Sequence, residues 1–345
     1  MNSATEARNP SRQSDFDLKG GTHTRLSDLI SLRHIATSLS LKNQTSTRNP
    51  QAGTVSSRFR GRGIDFAEVR LYQPGDDIRS IDWRVTARTG KPHTKLFQEE
   101  REKPVLLVVD QSRPMYFGSK RAFKSVHAVE IATLLAWSML DRGDRVGGVV
   151  YSDTAHQEIR PRRSRKTVLN LLKVMDALNN ELMMDVLPNG PPPGRGGSAQ
   201  RLAGEARQNN ADSPSSNGLN NALKEIRRIA RHGNSIYILS DFQAADEETQ
   251  SHLIELSRHN DILGFCIYDP LEAQLPTPDI YEVTDGIRRH RIDSANHRIR
   301  QQFEERFSRH QQQLQEVFDR TRARLIPFAT VDDPLLGLGM ALGGK

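Results

Sequence analysis

Residues 104–110, Pro-Val-Leu-Leu-Val-Val-Asp, form the stretch that decides the fold of this chain. The stretch is almost continuously apolar and does not alternate with polar residues, which is typical of a strand buried on both faces of a parallel sheet. It ends on Asp110. Functional groups in such sheets gather beyond the carboxyl ends of the strands. We therefore predict a buried strand that presents Asp110 at a candidate site.

Strands and helices alternate along the chain after this stretch, which favours a doubly wound, mostly parallel α/β sheet covered by helices on both faces. The strand before Asp241 is as apolar as residues 104–110, so we expect Asp110 and Asp241 to meet at one edge of the sheet. Apolar runs predict strands over 146–151, 157–160, 235–240, 261–268 and 325–328, and helical spacing predicts helices over 123–140, 167–178, 219–232, 247–258 and 298–322.

Composition divides the chain into segments. Residues 1–23 are polar, which predicts a disordered tail. Apolar spacing then predicts a short amphipathic helix, and Gln-Pro-Gly-Asp at 73–76 predicts a turn in a small, irregular β module. The predicted order is the tail, a helix and linker over 24–57, the β module over 58–103, the sheet domain over 104–330 with a flexible insert rich in Pro, Gly, Ser and Asn at 185–216, and a second tail over 331–345.

The charge balance is basic. The chain has 345 residues, 36% of them hydrophobic, and a formal net charge of +7, with a sequence pI of about 9.6. A basic surface suits nucleic acid, an anionic membrane or an acidic protein, and it also occurs on ordinary solvated surfaces. The basic run 160–166 contains no aromatic residue for base stacking, which disfavours nucleic acid as a partner.

Cysteine usage and hydropathy indicate the compartment. The single cysteine, Cys266, lies in an apolar run and cannot form an internal disulfide, which favours a reducing environment. We predict that it packs as a small core residue. The first thirty residues lack an apolar signal-peptide core, and the mostly apolar stretch 129–140 is too short to cross a bilayer. We expect a cytoplasmic protein without a membrane span.

Residues 60–83 carry a dense motif, Arg-Gly-Arg-Gly-Ile-Asp-Phe-Ala-Glu-Val-Arg-Leu-Tyr-Gln-Pro-Gly-Asp-Asp-Ile-Arg-Ser-Ile-Asp-Trp. With the Thr-Ala-Arg that follows shortly after, it resembles the signature of the domain-of-unknown-function 58 (DUF58) family, in which it precedes a von Willebrand factor A-like domain. Asp65 stands where glutamate is usual. The matching residues are Gly61, Gly63, Asp65, Phe66, Arg70, Tyr72, Gly75, Asp76, Arg79, Ile81, Asp82, Trp83 and Arg88.

Two interpretations of this motif remain open. Its acids and arginines suit a partly buried ion-pair network made by Arg70, Arg79, Asp76 and Asp82, since arginine and carboxylate pairs hold geometry well. In that interpretation the aromatic residues Tyr72 and Trp83 anchor the network against the sheet domain. The alternative is a docking surface for a partner. A nucleotide-binding loop is disfavoured because no predicted helix follows the two glycines.

The sequence Asp110-Gln-Ser112-Arg-Pro114 resembles the metal-site motif of von Willebrand factor A-like domains, aspartate-x-serine-x-serine. The resemblance implies that Asp110, Ser112, Asp241 and Asn217 hold a divalent cation, Mg²⁺ or Mn²⁺, through oxygen ligands. The set is degenerate, because Pro114 replaces the second serine and Asn217 replaces a threonine. The alternative is that Asp110 caps a loop and Asp241 binds backbone amides without a metal.

The resemblance implies a function in protein interaction. It points to a family often encoded beside MoxR-type AAA+ ATPases, whose members act as adaptors or chaperone-like partners in assembling or activating other proteins. No nucleophile, base and orienting group occur together in a recognisable pattern, so we predict a non-enzymatic protein. Two alternatives stay open: a basic nucleic-acid-binding protein, and a divalent-metal-dependent hydrolase built on Asp110 and Asp241.

Overall fold

Five stretches of the chain are described by this computed structural model: residues 21–39, 64–99, 104–186, 217–284 and 289–342. Some predictions concern residues outside these five stretches. They are the predictions for residues 1–20, for Gly61 and Gly63, and for all but the start of the 185–216 insert.

The secondary structure of the described residues follows the predicted alternation. The strands are β1 (Ile64–Leu71), β2 (His93–Glu99), β3 (Pro104–Asp110), β4 (Arg145–Tyr151), β5 (His156–Arg162), β6 (Ser235–Ser240), β7 (Asp261–Tyr268), β8 (Ile280–Thr284), β9 (Arg289–Asp293) and β10 (Arg324–Ala329). The helices are α1 (Leu26–Ser31), α2 (Arg33–Ala36), α3 (Trp83–Thr89), α4 (Lys124–Asp141), α5 (Arg165–Val186), α6 (Gly218–Ile229), α7 (Glu247–Ser257), α8 (Pro270–Ala273), α9 (His297–Arg320) and α10 (Pro334–Leu342).

A six-stranded sheet forms the centre, in the order β10-β7-β6-β3-β4-β5. All neighbouring strands are parallel except the antiparallel pair β4 and β5. From β3 the chain builds outward on one side through β4 and β5, then crosses to β6 and builds outward on the other side. This arrangement confirms the prediction of a doubly wound, mostly parallel α/β sheet.

Alternate residues of β3 face two separate cores. Val105, Leu107 and Val109 pack into one core with α1, α2, α4, α5 and α10. Leu106 and Val108 pack into the other with α6, α7 and α9. Each such fully buried side chain contributes about 1.5–3 kcal/mol to stability. Apolar and polar residues do not alternate in residues 104–110 because both faces of β3 are buried, as predicted.

Gly148 lets β3 and β4 approach closely at the centre of the sheet. Its φ is +156°, and a Cβ atom there would lie 1.9 Å from the backbone oxygen of Leu107. The register of β4 with β5 shifts between Val146 and Gly148. Only a residue without a side chain allows this pairing.

The C-terminal residues differ from their prediction as a tail. Residues 334–342 form α10, whose Leu338 and Leu342 are buried in the core that also contains α4. The segment Pro-Leu-Leu-Gly-Leu-Gly-Met-Ala-Leu is apolar nearly all round and contains two glycines. It therefore lacks the amphipathic period by which a surface helix is recognised in a sequence.

The helix predicted within 24–57 is tied firmly to the sheet domain. It forms α1 and α2, with Leu29, Leu32 and Ala36 buried in the core. The Trp137 indole donates to the Leu29 carbonyl at 3.3 Å. These contacts make residues 26–36 a structural part of the sheet domain.

Cys266 lies in β7 and is 1% exposed, which confirms its prediction as a core residue. Burial raises the pKa of its thiol to about 12. Within the five described stretches, no helix combines the length and the apolar character that crossing a membrane requires.

Candidate functional site

Three neighbouring parallel strands end in acids at one edge of the sheet. Asp110 is the last residue of β3, Asp241 follows β6, and Asp269 follows β7. Strands β3 and β6 are adjacent and lie where the direction of strand addition reverses. Such a switch point is where ligands of open α/β sheets bind. The structure therefore brings Asp110 and Asp241 to one edge and adds Asp269, which the sequence analysis missed.

Asp110 is buried, and both of its carboxylate oxygens are engaged by neighbouring loops. Its Oδ1 accepts a hydrogen bond from the Ser112 amide at 2.8 Å. Its Oδ2 accepts one from the Ser240 hydroxyl at 2.6 Å. Burial and the charge of Asp241 raise the pKa of Asp110 to about 6, against the lowering effect of these hydrogen bonds. Asp110 therefore joins the ends of β3 and β6.

Asp241 is paired with a lysine that is completely buried. The Lys124 Nζ lies 2.7 Å from Asp241 Oδ2 and 2.7 Å from Glu272 Oε1. Asp241 Oδ1 accepts a hydrogen bond from the Gln243 amide at 3.0 Å. Burial lowers the pKa of Lys124, but the two carboxylates outweigh burial and leave that pKa raised. The side chain is therefore a charged ammonium held between two acids.

Asp269 and Glu272 connect this pair to the rest of the edge. The two residues form a capping box at the start of α8. Asp269 Oδ2 accepts hydrogen bonds from the Ser119 amide at 2.9 Å and from the Thr330 hydroxyl at 2.6 Å. One acid thus links the loop before α4 to the end of β10, and the whole edge forms one hydrogen-bonded network.

A second ion pair joins a buried acid of α4 to the loop before this helix. Glu130 is buried and accepts two hydrogen bonds from Arg121, at 2.6 Å and 3.2 Å. The Arg121 Nε also donates to the Thr330 carbonyl at 3.1 Å. Burial raises the pKa of Glu130, but hydrogen bonds from His127 and Arg121 outweigh burial and leave that pKa lowered. The charge of Glu130 is therefore retained in the interior.

The backbone is strained immediately after Asp241. Phe242 has a φ of +55° and is the only residue other than glycine with a positive φ in the described stretches. The left-handed conformation costs such a residue on the order of 1–3 kcal/mol. Its ring is buried in edge-to-face contact with Phe318, with the ring centroids 5.4 Å apart. Core packing thus holds the turn that directs Asp241 toward Lys124.

The predicted metal-binding set is only partly assembled. Asp110, Ser112 and Asp241 lie together, but Asn217 does not join them. The Asn217 Oδ1 caps α6 by accepting from the Leu219 amide at 3.1 Å, and its amide nitrogen donates to Asp246 at 3.2 Å. The prediction for Asn217 as a ligand is therefore wrong, because its side chain closes the helix start.

The remaining residues of the set do not fit a divalent metal. The Lys124 ammonium lies between Asp241 and Glu272, and the oxygens of Asp110 already accept hydrogen bonds. In the part of the chain described, no three His, Cys, Asp or Glu side chains group as metal ligands. A positive side chain therefore already lies against Asp241, one of the acids of the predicted set.

The sequence analysis did not single out Lys124 and Glu130, although the sequence indicates that both are buried charged residues. The stretch 123–140 is apolar nearly all round, which predicts a helix without a solvent-facing side. Charged residues within such a helix must be buried, and buried charges are paired. The identity of the partners was not readable, since Lys124 pairs with residues more than one hundred positions away.

The 60–83 motif has one ion pair of the predicted network. Strands β1 and β2 pair in antiparallel fashion, with Asp65 opposite Gln98 and Phe66 opposite Phe97. Between them, Arg70 pairs with Asp76 at 2.7 Å. Asp76 also accepts from the Gln73 amide at 2.9 Å and thereby closes the 73–76 turn, at which Gly75 takes a φ of +107°.

The other charged residues of the motif depart from the predicted network. Asp82 caps α3 through the amides of Arg84 and Val85 and lies 3.5 Å from the Lys95 ammonium. The side chains of Arg79 and Arg88 make no ion pair within the described residues. The network is therefore local to the turn and the helix start.

Trp83 does not anchor the motif against the sheet domain. It is the first residue of α3, and 67% of its surface is exposed. Tyr72 contributes a backbone hydrogen bond to the Pro92 carbonyl at 2.9 Å. The interpretation in which Trp83 anchors the motif does not agree with this exposure, and the alternative of a docking surface stays open for this residue.

The stability of the chain should depend on pH through Asp110. Because folding raises the pKa of Asp110 from its ordinary value of 3.8 to about 6, the folded chain holds this proton where the unfolded chain has lost it. Stability due to this group is therefore lost as pH rises through the interval between those values. The uncharged Asp110→Asn variant should gain up to about 3 kcal/mol relative to wild type between pH 4 and pH 7.

Urea denaturation of both proteins at the two pH values measures this difference. Carboxylates remote from Asp110 contribute equally to the stability of both proteins, so their contributions cancel. If the difference in free energy of unfolding between Asp110→Asn and wild type were the same at both pH values, the prediction would be contradicted.

Comparison with known proteins identifies one family. The family described as "Protein of unknown function DUF58" matches residues 68–313. The uncharacterized proteins Mb1516 of Mycobacterium bovis and Rv1480 of Mycobacterium tuberculosis are each 28% identical to this chain over 216 residues, which is 63% of this chain and 58% of theirs. The chain thus spans somewhat more than half the length of these curated relatives.

Two further similarities are weaker. The uncharacterized protein YeaD of Bacillus subtilis is 35% identical over 81 residues, which is 24% of this chain and 18% of its own length. The crystal structure of the conserved hypothetical protein BatB from Bacteroides thetaiotaomicron aligns with a TM-score of 0.40 and 12% identity, covering 70% of this chain and 97% of that chain. A similarity of that size carries no argument about function.

Proposed function

Because this chain belongs to the DUF58 family, as the motif at 60–83 predicted, we propose that it is a non-enzymatic adaptor or chaperone-like protein. It works with a MoxR-type AAA+ ATPase in the assembly or activation of other proteins. The sequence resemblance supports the choice of partner class, and the exposed apolar side chains of the 60–83 motif support the choice of surface.

The exposure of Trp83 carries this proposal. Three large apolar side chains of the motif face solvent: Leu71 is 53% exposed, Ile78 is 64% exposed and Trp83 is 67% exposed. Exposed apolar groups concentrated in one short span favour an interaction surface. Tryptophan is among the residues that dominate binding energy at protein interfaces. The helix cap made by Asp82 orders the backbone at Trp83 before any partner binds, which lowers the entropy cost of association.

The chemistry of the sheet edge supports the non-enzymatic part of the proposal. Each of the acids Asp110, Asp241 and Asp269 is already bound by a serine, a lysine or a backbone amide of the same chain. Such contacts hold each carboxylate in a fixed position and join neighbouring loops to one another. This edge therefore acts as a rigid frame for the loops around it.

We also propose that the sheet domain is von Willebrand factor A-like. Support comes from the strand order, with an antiparallel strand β5 at one edge, and from Asp110 and Ser112 after the first strand of the sheet. The motif's module at 64–99 then lies directly before that domain in sequence.

A retention experiment with a purified MoxR-type ATPase from the same organism tests the proposal. We expect the immobilised full chain to retain the ATPase in the presence of ATP, and Trp83→Ala to weaken retention by more than about tenfold, because loss of an interface tryptophan costs about 2 kcal/mol or more. The fold of this variant should be unchanged, since Trp83 is exposed.

The matched control is Met340→Ala, which removes an apolar side chain that is 81% exposed on α10, outside the motif. This variant should bind as wild type does. A wild-type chain that retains no ATPase at low ionic strength, where weak complexes persist, would refute the proposed partner. If Trp83→Ala and Met340→Ala weakened retention of the ATPase equally, the proposed surface would be refuted.

A further inference from the structure

The A-like motif implies a divalent cation at the sheet edge, yet the structure already provides a positive charge there. The Lys124 Nζ is 2.7 Å from one oxygen of Asp241 and 2.7 Å from one oxygen of Glu272, and the side chain is fully buried. We propose that the Lys124 ammonium is the resident cation of this site and makes it independent of a divalent metal.

The position of the ammonium is fixed by the fold. Lys124 is the first residue of α4, and its backbone amide donates to the Phe117 carbonyl at 2.7 Å. The following residue, Ser125, accepts at its backbone carbonyl a hydrogen bond from the Gln111 side-chain Nε2 at 3.1 Å, and Gln111 follows Asp110 directly. The start of α4 is thus tied to the end of β3, so Lys124 cannot withdraw without disturbing that contact.

The ammonium also uses the ligands that a metal would require. Mg²⁺ and Mn²⁺ need several carboxylate, hydroxyl or water oxygens around one point. Here Asp241 Oδ2 and Glu272 Oε1 both accept from Lys124, and Asp110 Oδ2 accepts from Ser240. A divalent ion at this point would face a buried positive charge at close range. Lysine and metal therefore exclude one another.

The carboxylates gathered at this edge explain why some cation is needed. Asp110 and Asp241 lie close enough for the charge of Asp241 to disfavour ionisation of Asp110, and Asp241 and Glu272 share the Lys124 ammonium. Buried like charges repel strongly unless a positive group is present. Lys124 supplies this group from within the chain, so the site is complete as soon as the chain folds.

The first test is a titration of the full wild-type chain with Mn²⁺, followed by electron paramagnetic resonance of the free ion. We expect no saturable binding that depends on Asp241. Saturable binding by wild type that is lost in Asp241→Asn would overturn the proposal, whatever the behaviour of lysine variants.

The second test removes the resident cation. Lys124→Ala opens space beside Asp241 and Glu272, and we expect it to gain saturable Mn²⁺ binding at least about tenfold tighter than any residual binding by wild type. Its thermal midpoint should fall without metal and rise when Mn²⁺ is added. The control Lys224→Ala removes a half-exposed lysine paired with Glu248 at 2.8 Å and should show neither effect.

Two outcomes of this second test would count against the proposal. The first is a Lys124→Ala variant that is as stable as wild type and indifferent to Mn²⁺. The second is a variant that fails to fold without metal and that also fails to refold when Mn²⁺ is present. Recovery of folding by Mn²⁺ alone would support the exchange of one cation for the other.

Discussion

Asp241→Asn is expected to lower the free energy of unfolding by about 3–5 kcal/mol, because it removes one of the two acids that neutralise a fully buried lysine. The asparagine oxygen can still accept from the Gln243 amide, as Asp241 Oδ1 does at 3.0 Å. Its amide group would then face the Lys124 ammonium, where the carboxylate oxygen now lies at 2.7 Å. Two donors would meet, and Glu272 alone would balance the buried charge.

Urea unfolding followed by circular dichroism measures this loss. The matched control is Glu316→Gln, which makes the same chemical change in an exposed pair with Arg320 at 3.7 Å. Exposed pairs contribute little, so the control should unfold almost as wild type does. Equal stability of Asp241→Asn and wild type would contradict the described ion pair.

Leu338→Ala should cost about 2–5 kcal/mol of stability, as truncation of a buried leucine generally does. Leu338 is 0% exposed and lies in the core that contains Phe328 and α4. The loss should appear as a lower urea midpoint with an unchanged dependence on urea concentration, since the exposed area of the folded chain stays the same.

The same helix offers its own control. Leu336 lies two residues away in α10 and is 64% exposed. Leu336→Ala should change stability by less than about 0.5 kcal/mol. If Leu338→Ala and Leu336→Ala both changed the free energy of unfolding by this small amount, residues 331–345 would behave as the tail that the sequence predicted.

The central sheet could be predicted from the sequence because its strands are buried on both faces. In 104–110, 235–240 and 261–268, burial of both faces requires apolar residues at successive positions, and such runs are visible without knowledge of the fold. Apart from α4, which is buried on all sides, the longer helices between them show the apolar spacing that a single covered face produces. Strand order and the meeting of Asp110 with Asp241 then follow from general rules of α/β topology.

The electrostatic partners could not be predicted in the same way. Lys124 meets Asp241 and Glu272 across 117 and 148 residues of sequence. Which charges meet at such distances depends on loop paths that no local pattern encodes. The resemblance to a metal motif rests on Asp110 and Ser112, and neither residue indicates in the sequence that a lysine pairs with the nearby Asp241.

The orientation of Trp83 was likewise beyond local reasoning. An aromatic residue in a dense motif usually packs inward, and its neighbours Asp82 and Arg84 are compatible with either direction. The direction is decided by the hydrogen bonds from the Arg84 and Val85 amides to Asp82, which fix where α3 begins.

The single sulfhydryl at Cys266 gives this chain a natural reporter of unfolding. It lies in β7, between β6 and β10, and its thiolate does not form at neutral pH because burial raises its pKa to about 12. Alkylating reagents attack the thiolate, so the modification rate should follow the rate at which β7 separates from its neighbours. No engineered label is needed to compare purified variants of the sheet edge.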